Sequence, residues 1–165
     1  MSRIVLDGVA GKNTMAFLDA ITVGEIGAAL LAQSDDGYNI LVGSTPNAPR
    51  ICQNYSAHPN VRTWLPKLGV WSTAAGRYQI IHPTWVGVAA HLGLKDFSPV
   101  SQDLAAIELI RQRGALADVR AGRFADAVQK CRLEWASFPA SPAGQPTVAL
   151  SALQDRYVAA GGSLA

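Results

Sequence analysis

The sequence predicts an α+β fold, mainly helical with a small antiparallel β-sheet. Three observations predict it. Apolar residues recur at three- and four-residue spacing through much of the chain. The run Tyr38-Asn39-Ile40-Leu41-Val42, bounded by Gly37 and Gly43, reads as a strand. Glycines and prolines fall mostly between the helical stretches and so punctuate them.

The first helix is expected from Asn13 or Thr14, either of which can cap exposed amides. Met15, Leu18 and Ile21 repeat at helical spacing, Phe17 widens the stripe, and Gly24 offers a stop. Glu25 then sits at or just past a helix end. The strand at 38–42 is expected to pair with a second extended piece around Arg50 to Tyr55. A helix opens at Pro83-Thr84 and runs through Trp85, Val88, Ala89 and Leu92 to Gly93. Ser98-Pro99 sets a cap before a first-turn proline, so another helix follows to about Arg113, with Gly114 ending it. A further helix covers roughly Arg123 to Ser137. Pro139, Pro142 and Pro146 forbid regular structure after it, and a last helix spans about Thr147 to Ala160.

At 165 residues, 49% apolar and 16% charged, the chain suits one globular domain over 1–165 and not a disordered one. A net charge of +2 does not call for nucleic acid, which usually meets a denser basic face. It would suit an anionic cell envelope, but an ordinary solvated surface is the simpler explanation. Met1 to Asp7 lack the basic-then-apolar pattern of a secretory signal. Ala20 to Ala32 is too short to span a bilayer and holds Glu25, so synthesis in the cytoplasm and no stable membrane association are expected. Cys52 and Cys131 share no redox or metal spacing, nor do His58, His82 and His91. No metal and no cofactor are expected. Cys131 reads as a buried free thiol, and a disulfide to Cys52 stays open.

The chain has three glutamates, Glu25, Glu108 and Glu134. Glu108 has Arg111 and Gln112 at helical contact spacing and Glu134 has Lys130 one turn earlier, so both read as helix-surface residues. Glu25 lies between Thr22-Val23-Gly24 and Ile26-Gly27-Ala28-Ala29-Leu30-Leu31, with no local base. Apolar surroundings favour a neutral carboxyl and raise its pKa, which a proton donor near neutral pH needs. A surface position at a helix end is the alternative. Ser72-Thr73-Ala74-Ala75-Gly76-Arg77-Tyr78-Gln79 combines small residues with an aromatic ring and an amide, a mixture that binds sugars; a turn leading into a buried Tyr78 is the other reading. Of the four tryptophans, Trp85 and Trp135 lie in helical patterns and read as core, whereas Trp71, beside Ser72, is better placed than Trp64 for a ligand.

Further blocks run in order along the chain: Ala16-Phe17-Leu18-Asp19, Gly37-Tyr38, Tyr55-Ser56, His58-Pro59 and Pro66-Lys67-Leu68. They continue through Ser72 to Gln79, Leu92 to Pro99 and Ser101-Gln102-Asp103 to Arg113-Gly114-Ala115-Leu116 and Trp135-Ala136-Ser137. With this ordered set the chain resembles the phage lambda-type endolysin family of lysozyme-like lytic transglycosylases, over about residues 14–162. The resemblance implies a mainly helical lysozyme-like domain whose small sheet flanks a glycan-binding cleft. It implies cleavage of peptidoglycan between N-acetylmuramic acid and N-acetylglucosamine, with Glu25 as the catalytic residue. Tyr38, Asn39, Tyr78 and Gln79 would lie along the cleft. Tyr55 and His58 could line it too, or form a turn stabilised by Pro59.

The partner implied is the peptidoglycan glycan strand, reached in the periplasm through a membrane lesion made by a holin, with a monomer as the default state. The chain departs from the family pattern at Ile26-Gly27, where Gly-Thr is usual, and at Asn39, where the lambda protein is acidic. It departs again at Ala140 to Pro146, where a Tyr-containing glycine-rich loop is usual. One carboxyl suffices for a transglycosylase, while a hydrolysing muramidase would ask Asp35 or Asp36 to position water. An inactive glycan-binding module is a third reading.

Overall fold

The structure is a computed structural model and describes residues 1–165. Along the chain come α1 (Gly8–Glu25), α2 (Ala28–Ala32), β1 (Thr63–Leu65) and β2 (Val70–Ser72), then α3 (His82–Leu92) and α4 (Pro99–Gln112). They are followed by α5 (Leu116–Ala121), α6 (Phe124–Cys131) and α7 (Leu150–Ala159). The architecture is mostly helical with a two-stranded antiparallel sheet. The chain forms two compact units, Met1–Glu25 with Ala106–Ala165, and Ile26–Ala105. No helix is long and apolar enough to cross a membrane.

In the first unit α1 packs against α5 and α7, and every side chain from Ala16 to Thr22 is buried. Phe17 meets Phe124 and Phe138 edge-on, with ring centroids 5.6 and 6.3 Å apart, and Phe124 in turn meets Tyr157 at 4.7 Å. Burying one such ring stabilises a fold by roughly 1.5–3 kcal/mol. Helix α1 begins at Gly8, earlier than the caps in its sequence suggest. Asn13 is buried and tied elsewhere: its Nδ2 donates to the Arg120 carbonyl and its Oδ1 accepts from Ser163 N. The Thr14 hydroxyl donates to the Ala10 carbonyl one turn back. Both polar groups therefore join elements distant in sequence or bond within the helix, and neither caps it.

The C-terminal half differs from expectation in length more than in kind. The helix expected over 123–137 ends at Cys131, and α7 starts at Leu150. Between them, turns hold Trp135 and Phe138 in the core, 2% and 1% exposed. Glu134 pairs with Arg113 at 2.7 Å, while Lys130 turns to Asp118 at 2.5 Å. Glu108 is buried, but Arg111 and Gln112 compensate it at 2.7 and 2.9 Å. Cys131 is buried and free, its thiol pushed up to about 12 by burial; Cys52 is free as well.

In the second unit the expected strand at 38–42 is replaced by turns and two single pairings, Ile40 with Ile51 and Leu41 with Ala75. Tight turns cause this: Tyr38 N donates to the Asp35 carbonyl and Ile40 N to the Gly37 carbonyl. The apolar run reads as a strand because Tyr38, Ile40 and Leu41 are all buried, not because they alternate in a ladder. The regular sheet lies further on, where Thr63, Trp64 and Leu65 pair with Ser72, Trp71 and Val70. The cross-strand Trp64–Trp71 pair, 5.6 Å between ring centroids, is the kind of contact that adds about 0.2–1 kcal/mol to a short hairpin. Helix α3 ends at Gly93 in the left-handed conformation and α4 opens on Pro99, both as expected.

Candidate active site

Glu25 is the last residue of α1, so its carboxyl stands where the helix dipole is negative and disfavours a further negative charge. It is half-buried, and the Ser137 hydroxyl donates to its Oε1 at 2.5 Å. Burial raises its pKa above the ordinary carboxylate value; hydrogen bonds from the Ser137 side chain and backbone oppose the rise without cancelling it. No basic group enters the balance. The result is a carboxyl kept protonated to higher pH than a surface glutamate, with a hydroxyl fixing its orientation.

Ser137 was not legible as a site residue. It lies 112 positions from Glu25, and only the tertiary turn after α6 brings it there. Gly24 makes the approach possible, because a Cβ at that position would collide with the Ser137 hydroxyl and crowd Val148 at 3.2 Å. Two outcomes follow. Ser137→Ala removes a bond that lowers the Glu25 pKa, so the alkaline limb of a pH–activity profile should move to higher pH. Gly24→Ala should displace Ser137 and reduce activity more than an Ala substitution at the exposed Gly87, where a Cβ meets nothing within 4 Å. Activity profiles of the three variants beside wild type check both.

The second unit holds the other expected site residues, and it sorts them. Tyr38 and Tyr78, expected along the sugar path, are core residues, 0% and 1% exposed. Both hydroxyls donate to Asp103 Oδ1, at 2.8 and 2.5 Å. Burial, with the nearby Asp103 charge, raises both phenols far above their ordinary value, so they stay neutral donors. His58 is also withdrawn from solvent: Nε2 donates to the Ile80 carbonyl at 2.9 Å and Nδ1 accepts from Asn60 N at 3.1 Å. These partners assign the neutral Nε2–H tautomer and leave neither ring nitrogen for a sugar. Burial, the larger effect, holds the imidazole pKa down.

Arg77, fully buried, pairs with Asp36 at 3.0 Å and lies over the Tyr38 ring at 5.2 Å. Gln102 ties this cluster together: its Oε1 accepts from Arg77 N, and its Nε2 donates to the Tyr38 and Phe97 carbonyls. The Ser72 to Gln79 block is thus in large part a scaffold. Its glycine serves that scaffold, since a Cβ on Gly76 would strike Gln102 and Phe97.

Three expected residues remain half-exposed. The Tyr55 hydroxyl donates to Asp35 Oδ2 at 2.5 Å, and Asp35 N donates to Asn39 Oδ1 at 3.0 Å, so Asp35, Asn39 and Tyr55 form one polar group. Gln79 adopts a left-handed backbone (φ 48°), uncommon for a side chain of its size, and donates to the Gly76 carbonyl at 2.9 Å. No cluster of three or more His, Cys, Asp or Glu side chains is arranged to hold a metal.

The family model described as Endolysin matches residues 15–164. An endolysin of Escherichia phage P2 is 41% identical over 155 residues, covering 92% of this chain and 94% of that protein. An endolysin of Escherichia phage lambda is 39% identical over 129 residues, covering 78% and 77%. Among solved structures, bacteriophage lambda lysozyme complexed with a chitohexasaccharide is similar at a TM-score of 0.84 and 34% identity, over 98% of this chain and all of that one. By family model, by sequence and by fold, the chain belongs to the endolysin family.

Proposed function

We propose that the chain cleaves the β-1,4 bond between N-acetylmuramic acid and N-acetylglucosamine in peptidoglycan, as a lytic transglycosylase with Glu25 as its acid. The lambda relative bound to a chitohexasaccharide supports a glycan substrate. The observation that carries the choice of residue is the Glu25 carboxyl itself, neutral-favouring, half-buried, without a basic partner and oriented by Ser137.

In this reading protonated Glu25 donates its proton to the glycosidic oxygen as the bond to the muramic acid anomeric carbon breaks. The carboxylate left behind takes the proton from that sugar's C6 hydroxyl, whose oxygen attacks the anomeric carbon. A 1,6-anhydro ring forms and no water is consumed. One carboxyl serves both steps, and the attack gains from being intramolecular. Ser137 steadies the ionised intermediate form by donating a hydrogen bond to it. On the second unit, Asn39, Tyr55 and Gln79 are the expected residues left half-exposed to hydrogen-bond sugar hydroxyls.

A hydrolysing muramidase needs a second free carboxylate to position water. Asp36 is committed to Arg77 and Asp35 to Tyr55, which disfavours that reading. Mass spectrometry of digested peptidoglycan separates the two. Anhydro ends, lighter by one water, are expected; reducing ends would replace the transglycosylase with the hydrolase. In a host cell the enzyme would act as a monomer on the wall once the membrane is breached by a holin.

A further inference from the structure

The β1–β2 hairpin presents an aromatic face that the reaction above does not use. Trp64 and Trp71 are paired across the strands, 46% and 57% exposed, with their rings tilted by 54°. Arg62, the residue before β1, lies on this side as well, its guanidinium 5.1 Å from the Trp71 ring centre. Thr63, on the opposite face, is occupied by Arg50, which donates to its hydroxyl at 2.8 Å. Two large rings are thus held in water with a cation on one of them, which a hairpin needing only its own stability does not require.

The charge along this stretch of the chain is one-sided. From Gly37 to Lys95 the chain has no Asp or Glu, but it has Arg50, Arg62, Lys67, Arg77 and Lys95. Arg77 is buried and paired, so the exposed charge of the segment is wholly positive. A partner that fits must offer flat, partly apolar faces for the indoles and negative groups for Arg62 and Lys67. Tryptophan beside Arg and Lys suits a membrane surface too, and what favours a glycan is the family of the chain, one member of which is solved with a chitohexasaccharide.

We propose that Trp64 and Trp71 form a stacking platform for sugar rings of the peptidoglycan strand, with Arg62 and Lys67 receiving carboxylates of its peptide stems. The platform holds the polymer, and its role rests on peptidoglycan being the substrate. A neutral chitin oligosaccharide should therefore engage the rings alone, whereas intact sacculi engage rings and cations together.

The test is co-sedimentation of the full chain with purified sacculi in a Glu25→Gln background, where no digestion blurs binding. Adding W64A and W71A together should weaken binding roughly tenfold, the loss expected for a pair of aromatic contacts, while W64F with W71F keeps most of it. Circular dichroism shows whether each variant is folded. Adding R62Q should weaken binding to sacculi but leave chitohexaose binding, read by tryptophan fluorescence, unchanged. Unaltered sedimentation of the folded Ala variant overturns the platform. So does binding of the Glu25→Gln protein to anionic phospholipid vesicles that is lost with the two tryptophans, which would make the face a membrane contact. Failure of the Glu25→Gln protein itself to sediment with sacculi overturns the substrate reading beneath it.

Discussion

Glu25→Gln is expected to lower the clearing of permeabilised Gram-negative cells by roughly 10²–10⁴-fold or more, the range general acid catalysis contributes. The amide keeps the volume and an acceptor for the Ser137 hydroxyl but has no proton to give. The fold should not suffer. Burial raises the Glu25 pKa in the folded state, so ionisation costs stability as pH rises from the unfolded pKa through the folded one, and the cost persists above it. Glutamine is spared that cost. At neutral pH the variant should melt at the same temperature as wild type or higher. Equal clearing by both proteins would remove Glu25 from the chemistry, and a lower melting temperature would contradict the electrostatic part of the account.

Asp103→Leu is expected to have the largest effect on stability. Asp103 is fully buried and accepts hydrogen bonds from both Tyr38 and Tyr78. Leucine fills the space and removes the carboxylate oxygen that accepts from both phenols. Losing the acceptor of a buried hydroxyl costs roughly 1–3 kcal/mol, a large share of the roughly 5–15 kcal/mol that holds a typical domain together. Asp103→Asn retains one acceptor oxygen and should lose clearly less. Urea unfolding midpoints of the two variants rank them; a Leu variant within about 0.5 kcal/mol of wild type would mean that the tyrosines find other partners without cost.

These two residues also mark what the sequence reveals and what it hides. Glu25 is legible because its neighbours within five residues on either side are apolar or small, and a local pattern reports on local solvation. Helices α3 and α4 are legible because Pro83, Gly93, Pro99 and Gly114 mark their ends. Short α2 and α5 have too few turns to establish a period. Tyr38, Tyr78 and His58 look like sugar-binding groups because their chemistry suits that task. Their hydroxyls and ring nitrogens are in fact spent on Asp103, Ile80 and Asn60, contacts of up to 65 residues' separation that no local pattern encodes. Ser137 fails to show for the same reason in reverse. An unremarkable serine in a turn acquires a role only when α1 and the segment after α6 come together.

Protonation of Glu25 is the point on which the mechanism turns, and a carboxyl NMR titration reaches it directly. With three glutamates in the chain, ¹³C labelling at the side-chain carboxyl yields three signals, and the one absent from Glu25→Gln is Glu25. Its midpoint should lie above that of an ordinary glutamate and rise further in Ser137→Ala. A midpoint at or below the ordinary value would mean that the group is already ionised when a substrate arrives, and it could not then be the acid.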